Sequence, residues 1–270
     1  TLFPYTTLFR SVRRAPVRPR AALVACALAG CWAATGALPA QQGDRPGERQ
    51  RMLPQDVQVP PAIVRDPADE RATFRTAAGC RVELFASEPL IGDPVAARFD
   101  AAGRLWVVEM RGYMNDLDAT DEDAPNGRIV VLHDDDGDWR ADRVTVFADR
   151  LVLPRAVLPL VGGALVITPP ELVWMPDADG DLVADGREVV LDGFEAGVAN
   201  PEHSGNGLVW GLDHAIHLAN DRRLVRRVDG GFRVEPGAGG GQWGLSHDDR
   251  GRFYFNYNSD WLRSDLVPGR

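Results

Sequence analysis

A repeated acidic pattern constrains the fold of this 270-residue chain more than any other feature. The segments DDDGDWRAD (134–142) and DADGDLVAD (177–185) share the pattern D-x-D-G-D-x-x-A-D at a spacing of 43 residues. Short β-branched and aromatic segments surround both copies, separated by tight turns rich in Asp and Gly. Recurrence at about 40 to 50 residues, with about four strands per unit, is typical of propeller blades. The sequence therefore predicts an all-β chain built as a β-propeller.

The length of the strand-rich region sets the expected number of blades. Strand candidates begin with CRVELFA (80–86) and continue to the last residues, which leaves room for about four blades. A blade cannot bury both of its faces alone, so neighbouring blades must close a ring. We therefore expect residues 73–270 to be an incomplete N-terminal part of a propeller with six blades when complete.

The first 72 residues lack this pattern. Reverse translation of residues 1–11, TLFPYTTLFRS, follows one reading frame of a common sequencing-library adapter, so we interpret this segment as an artefact. Residues 12–40 join a basic start to an apolar stretch too short to span a bilayer, as in a signal peptide. Residues 41–72 are rich in Pro, Gln and charge and predict a flexible linker.

Two ways of processing the signal peptide remain open. The segment LAGC (28–31) has the form of a bacterial lipobox, in which acylated Cys31 would anchor the protein to a membrane surface. Ordinary cleavage after Ala40 is the alternative. Both predict an exported protein of the periplasm or cell envelope.

The charge balance argues against one class of partner. The chain has 30 basic residues, all of them arginine, and 39 acidic residues; residues 1–40 contribute five arginines and no acid. The remainder is strongly acidic, so nucleic-acid binding is not expected. Cys80 is the one cysteine after residue 40, so no intrachain disulfide is expected unless Cys80 pairs with an unprocessed Cys31.

The acidic repeats have two interpretations. In the second repeat the carboxylates fall at EF-hand ligand positions 1, 3, 5, 9 and 12, and this set is Asp177, Asp179, Asp181, Asp185 and Glu188. One interpretation is a Ca²⁺ site. In the other, Asp and Gly only form the turn between two outer strands, through side-chain to backbone hydrogen bonds. The copy at Asp134 has Thr145 at the closing position, which favours the turn.

Several phrases in order carry a family resemblance: VELFASEPLIGDPVAARFDAAGRLWVVEMRGY (82–113), LVLPRAV (151–157), NGLVWGLDHAIHLAN (206–220) and GQWGLSHDDRGRFYFNYNSD (241–260). Over residues 73–270 the chain resembles the N-terminal propeller of the PVC-type membrane-bound dehydrogenase family. This implies an exported protein with a CxxCH cytochrome c domain downstream. It also implies a propeller distantly similar to the quinoprotein glucose and sorbosone dehydrogenases, which bind pyrroloquinoline quinone and calcium. The chain has no CxxCH, so we expect any haem c beyond Arg270.

The same resemblance implies a catalytic base. Quinoprotein sugar dehydrogenases carry an acid-His-x-x-Gly-x-Leu arrangement, and Glu202, His203 and Leu208 match its acid, base and leucine. A histidine can take a hydroxyl proton near neutral pH while hydride passes to the cofactor. Asn206 replaces the glycine of the pattern, and Gly207 stands where those enzymes often have arginine. A turn or surface role is the other interpretation of His203.

Three further residues are candidates for cofactor contacts. Arg111 and Arg155 flank predicted inner strands, where each could pair with an anionic cofactor or substrate or form a salt bridge between blades. Trp243 could stack on a sugar or quinone, or pack in the core. His214 and His217 would face opposite sides of a strand, which argues against a metal site there.

Three functions remain open on the sequence. The first is a quinone-dependent dehydrogenase of a sugar or alcohol that passes electrons to a cytochrome. The second is a non-catalytic propeller that binds carbohydrate or protein at the cell surface. The third is a calcium-dependent hydrolase such as a lactonase, for which no convincing set of acidic ligands converges on the channel.

Overall fold

The computed structural model describes residues 64–116, 118–194, 204–257 and 260–264. The adapter-derived segment, the signal peptide with Cys31 and most of the linker lie outside these residues, as do Glu202 and His203. Within the described residues, no helix is long and apolar enough to cross a membrane.

One short helix precedes the sheets. Helix α1 spans Pro67–Thr73, across the end of the segment predicted as linker, and buries none of its residues. Its first turn contains a proline and two acids, Asp69 and Glu70. Proline suits the first helical position, and acids suit the positive end of the helix dipole. These local signals explain a helix that lacks a packed face.

The other regular structure of the described residues is strand, in three antiparallel sheets of four strands and one of three. Each sheet is a meander of consecutive strands, and we call the sheets blades 1 to 4 in chain order. Blade 1 contains β1 (Pro94–Phe99), β2 (Leu105–Glu109), β3 (Gly127–His133) and β4 (Arg143–Leu151). Blade 2 contains β5 (Ala156–Leu160), β6 (Gly163–Thr168), β7 (Glu171–Pro176) and β8 (Glu188–Leu191). Blade 3 contains β9 (Asn206–Trp210), β10 (Ile216–Ala219), β11 (Arg223–Val228) and β12 (Gly231–Pro236). Blade 4 contains β13 (Ser246–His247), β14 (Phe253–Tyr257) and β15 (Asp260–Ser264).

In blades 1 to 3 the first strand is the inner one. Neighbouring blades contact through these strands, β1 with β5 and β5 with β9. The chain then runs outward through each sheet to its last strand before it enters the next blade. Sheets of about four strands arranged radially are the architecture of a β-propeller, which confirms the predicted fold class.

The core lies between the blades. Ala164 and Val166 of β6 pack against blade 1 in one apolar cluster, and Leu165 and Ile167 of the same strand belong to a second cluster with blade 3. Alternate side chains of a strand point to opposite faces of its sheet. Both faces of blade 2 are covered, so β6 has apolar side chains on both of its sides.

The predicted strand at residues 80–86 does not form. This segment runs without regular strand across the other face of blade 1, where Phe85 and Ala86 pack on Val107, Val130 and Leu132. The oxygen of Phe85 accepts the Ala141 amide at 2.8 Å. The apolar residues that predicted a strand therefore cover a sheet face instead of extending the sheet.

We expect Leu165→Ala to destabilise the protein strongly, because Leu165 is fully buried between blades 2 and 3. The free energy of unfolding should fall by about 2 to 5 kcal/mol, the usual cost of removing a buried leucine side chain. Val161→Ala, at an exposed turn position, is the matched control and should change it by less than about 0.5 kcal/mol. Denaturant titration of both variants checks this; equal effects would contradict the packing.

Candidate functional site

The strand order divides every blade into two ends. Consecutive strands are antiparallel, so the turns that follow the first and third strands lie at one end, which we call the hairpin end. The turns that follow the second strands, and the links between blades, lie at the other end, which we call the connection end.

The predicted site residues do not all lie at the same end of the blades. Arg111 follows β2, Arg155 precedes β5 and Trp243 lies between β12 and β13, so all three are at the connection end. Glu202 and His203 belong to the link from β8 to β9. The described residues on both sides of this pair lie at the connection end. The acidic repeats follow β3 and β7 and lie at the hairpin end. A six-residue strand spans roughly 20 Å, so the acidic loops cannot join a site at the connection end.

Arg111 is part of a buried ion-pair group within blade 1. Glu109 is 0% exposed, and its carboxylate accepts hydrogen bonds from the Arg111 Nε and the Gly92 amide, both at 2.9 Å. Arg128 of β3 contacts the same carboxylate. Two guanidinium groups therefore share one carboxylate, and the Arg111 side chain stays 35% exposed. The group has a net positive charge.

Arg155 is buried beside the β2–β3 connection. It is 1% exposed, and burial lowers its pKa to about 10, an effect that nearby Tyr113 and Glu122 oppose. Glu122 is also buried, and its carboxylate accepts the Met114 amide at 3.3 Å. Arg155 stays protonated at neutral pH and is placed to hold the β2–β3 connection against β5.

Trp243 lies in a glycine-rich link and is 37% exposed. Core packing therefore does not account for its whole indole surface. The link is held to β9 by Asn206, which is fully buried. The Asn206 Nδ2 donates to the Gln242 oxygen at 2.6 Å, and its Oδ1 accepts the Gly244 amide at 2.8 Å.

The two departures from the quinoprotein pattern are both built into this packing. Asn206 joins β9 to the next link, as described above. Gly207 has φ +56°, and a Cβ there would lie 2.9 Å from the Gly244 Cα. Any larger side chain at this position meets backbone, so an arginine does not fit without rearrangement of the link.

The Asp177 loop brings three of its five predicted ligands together. Carboxylate oxygens of Asp177, Asp179 and Asp185 lie within 4.8 Å of one another, and Asp181 and Glu188 are outside this group. The same carboxylates form the turn: Asp177 accepts the amides of Gly180 at 2.8 Å and Leu182 at 3.2 Å, and Asp185 accepts that of Ala178 at 2.6 Å. Turn formation thus uses most of the oxygens that a cation would need.

The Asp134 loop repeats these turn hydrogen bonds, but it differs in which carboxylates meet and in its packing. Oxygens of Asp134, Asp136 and Asp138 lie within 4.8 Å of one another. Trp139 and Leu182 occupy equivalent positions with the same φ of +67°, yet Trp139 is 67% exposed and Leu182 is 8% exposed. Leu182 packs between blades 1 and 2, so only the second loop is anchored in the core.

His214 and His217 do not form a metal site with each other. His214 is exposed in the β9–β10 turn, whereas the Nε2 of His217 lies 3.1 Å from the Asp213 carboxylate. In the part of the chain that the structure describes, the two aspartate groups are the only sets of potential metal ligands.

Two buried acids were not predicted from the sequence. Glu109 ends a strand of otherwise apolar residues, and a charged residue at such a position was a signal for a buried pair. Glu122 stands among exposed acids of the β2–β3 connection, so the sequence alone did not distinguish it. Its role depends on the approach of Arg155 from the next blade.

Comparison with known proteins shows which family the chain belongs to. The model of DUF7133, described as a domain of unknown function, matches residues 66–270. The chain belongs to the DUF7133 family. No curated protein matches this DUF7133 chain.

Two solved structures align with the DUF7133 domain. A candidate gluconolactonase aligns over 69% of this chain and 63% of its own, with a TM-score of 0.42 and 16% identity. A streptogramin B lyase aligns over 69% of this chain and 58% of its own, with a TM-score of 0.38 and 14% identity. The chain covers less than two thirds of either structure.

We expect Glu109→Gln to lower the free energy of unfolding by about 1 to 3 kcal/mol, because it leaves two arginines around a buried neutral amide. The matched control is Glu171→Gln, which removes a more exposed ion pair with Arg187 and should cost less than about 1 kcal/mol. Thermal or urea unfolding of the two variants compares them directly. A loss at Glu109 no larger than at Glu171 would show that the buried group is not a structural centre.

Proposed function

We propose that this DUF7133 domain is the propeller portion of an exported quinone-dependent dehydrogenase that oxidises a sugar or alcohol at the connection end. One observation carries the proposal: Arg111, Trp243 and both described flanks of the Glu202–His203 link share this end of the blades. Propeller loops at one end of the ring are where a rigid scaffold presents functional residues. The resemblance to the PVC-type dehydrogenases supports the reaction class, and residues 12–40 support export. Acylated Cys31 would anchor the protein if the lipobox is used, and cleavage after Ala40 would release it.

The predicted cofactor contacts fit the quinone in part. Pyrroloquinoline quinone would supply a two-electron acceptor and carries carboxylates. Arg111 is half-buried in a group of net positive charge, and Trp243 offers an exposed aromatic surface, so these two residues would hold it. Arg155 is too deeply buried for direct contact, and we propose that it positions the β2–β3 connection that follows Arg111.

Residues of the protein itself would carry out the proton transfer. We propose that neutral His203 takes the hydroxyl proton of the substrate and that Glu202 orients the imidazole or stabilises its charged form. The electrons would pass to haem c of a downstream cytochrome domain. Neither residue is among the described ones, so their assignment depends on the sequence pattern.

A second candidate function is a non-catalytic propeller that binds carbohydrate or protein at the cell surface. It is favoured by the way Asn206 and Gly207 depart from the quinoprotein pattern. Both are committed to packing of the β12–β13 link, and an arginine at position 207 is excluded by the close approach of Gly244.

The catalytic proposal is tested by His203→Gln in the full-length protein supplied with pyrroloquinoline quinone. Glutamine keeps hydrogen bonding but accepts no proton, so kcat should fall by roughly 10² to 10⁴-fold. Glu202→Gln should have a milder effect. The matched control is His214→Gln, an exposed histidine at the hairpin end, which should leave kcat unchanged.

The measurement is dye-linked oxidation of a panel of aldoses and alcohols. The dehydrogenase proposal would be rejected if the wild-type protein with bound quinone shows no turnover, or if His203→Gln keeps full turnover. Either result would favour the non-catalytic binding propeller.

Calcium enters the proposal only as a structural ion of the Asp177 loop, since that loop lies at the hairpin end. If it binds Ca²⁺, the melting temperature should rise with Ca²⁺ by mass action and fall with a chelator. Asp179→Asn should reduce this shift, because Asp179 belongs to the three-carboxylate group. Asp249→Asn, an exposed turn residue of blade 4, is the control. An unchanged melting temperature in the presence of chelator would show that the Asp177 loop acts only as a turn.

A further inference from the structure

A cavity of about 610 Å³ opens at the connection end between blades 3 and 4. Its walls are the β10–β11 turn, the glycine-rich link from β12 to β13, and the facing ends of β14 and β15. This volume lies within the range of about 300 to 1,000 Å³ that holds small ligands in proteins. None of the residues assigned to the dehydrogenase reaction lines it.

The cavity is positively charged in an acidic chain. Three arginines and one aspartate line it, whereas the whole chain has a net charge of −9. The aspartate, Asp221, is bound at both oxygens by Arg223, with distances of 2.8 and 2.6 Å. Arg222 is exposed, and its guanidinium forms no ion pair or hydrogen bond with any described residue. A cation is therefore available for a ligand at this wall.

The glycine-rich link adds backbone donors. Two hydrogen bonds hold the link to the β10–β11 turn, from the Asn220 amide to the Gly240 oxygen at 3.0 Å and from the Gly237 amide to the Arg222 oxygen at 2.7 Å. The amides of Gly239 and Gly241 donate to no group among the residues that the structure describes. Amides held in such a link, next to a guanidinium, are suited to bind a carboxylate or phosphate.

Glycine is required here by close packing as well as by conformation. Gly239 and Gly241 have φ of +71° and +79°, and a Cβ on Gly240 would lie 2.9 Å from the ring of Phe255. The backbone therefore lies directly on the aromatic ring. This contact holds the glycine-rich link at the cavity wall.

Aromatic rings continue the cavity wall next to the glycine-rich link. Phe255 and Tyr257 pack edge to face with ring centroids 6.0 Å apart, and the guanidinium of Arg263 lies 4.9 Å from the centre of the Tyr257 ring. Aromatic faces beside hydrogen-bond donors suit the apolar face of a sugar ring. The cavity therefore presents cations and glycine residues next to aromatic surface.

We propose that this cavity binds a small sugar that carries one anionic group, either the carboxylate of a uronic acid or the phosphate of a sugar phosphate. Arg222 and the glycine amides bind the anionic group, and Tyr257 packs against the ring. The proposal does not depend on the dehydrogenase reaction, because it needs neither His203 nor a quinone.

Isothermal titration of the full-length protein tests this site without any activity measurement. The probes are glucuronate, glucose 6-phosphate, neutral glucose and inorganic phosphate. We expect one or both anionic sugars to bind at least about tenfold more tightly than glucose and than inorganic phosphate, and the stronger of the two identifies the anion. Arg222→Gln should weaken that binding by about tenfold or more, as loss of one charge-assisted hydrogen bond predicts.

The matched control is Arg250→Gln, an exposed arginine in the β13–β14 turn at the hairpin end, which should leave affinity unchanged. Arg222→Lys should retain part of it, because the charge stays but the planar group is lost. Equal binding of glucose and the anionic sugars, phosphate binding as tight as that of the sugars, or an unchanged affinity in Arg222→Gln would overturn the proposal. Far-UV circular dichroism of the variants shows that the propeller is intact.

Discussion

Apolar packing between neighbouring blades is the interaction on which the rest of this structure depends. The side chains of β6 alternate between two clusters, with Val166 facing blade 1 and Leu165 facing blade 3. A four-stranded meander has no interior of its own, so its stability comes from burying both faces against other segments. Blade 1 shows the same requirement, since the irregular segment through Phe85 covers the face that blade 2 does not.

This stacking separates two kinds of chemistry. Because strands alternate in direction, the acidic loops lie at the hairpin end and the links between blades lie at the connection end. The aspartates act locally there, as acceptors for the amides of their own turns. Arg111, Arg222 and Trp243 lie instead at the connection end, on different links and turns. An ion in an acidic loop and a ligand at the connection end would therefore act independently.

Buried charges restrict the loops of the connection end. Glu109 holds two arginines of blade 1, and Arg155 joins the β2–β3 connection to blade 2. Buried charges are costly unless paired, so such groups restrict the loops to one arrangement. Asn206 has the same effect through neutral hydrogen bonds, since it fixes the link that carries Trp243. The exposed donors of the neighbouring cavity are thus held on a rigid support.

Local patterns made much of this architecture predictable. The D-x-D-G-D-x-x-A-D repeats, the alternating strands and the hairpin turns all act within a few residues, so the sequence predicts the all-β class and the blade period correctly. It also predicts a strand around Phe85, and this segment instead covers a face of blade 1.

What a side chain contacts across the molecule depended on the tertiary structure. Arg111 and Arg155 look equivalent in the sequence, because each flanks an inner strand. Only the packing of blades decides that Arg111 remains half exposed beside Glu109 and that Arg155 is enclosed near Glu122. Likewise, the close packing of Gly240 on the Phe255 ring is visible only in the tertiary structure. The sequence by itself determined the strands, the turns and the kind of fold, because their causes are local; the partners, exposure and shared cavities of charged residues were decided only when distant segments met.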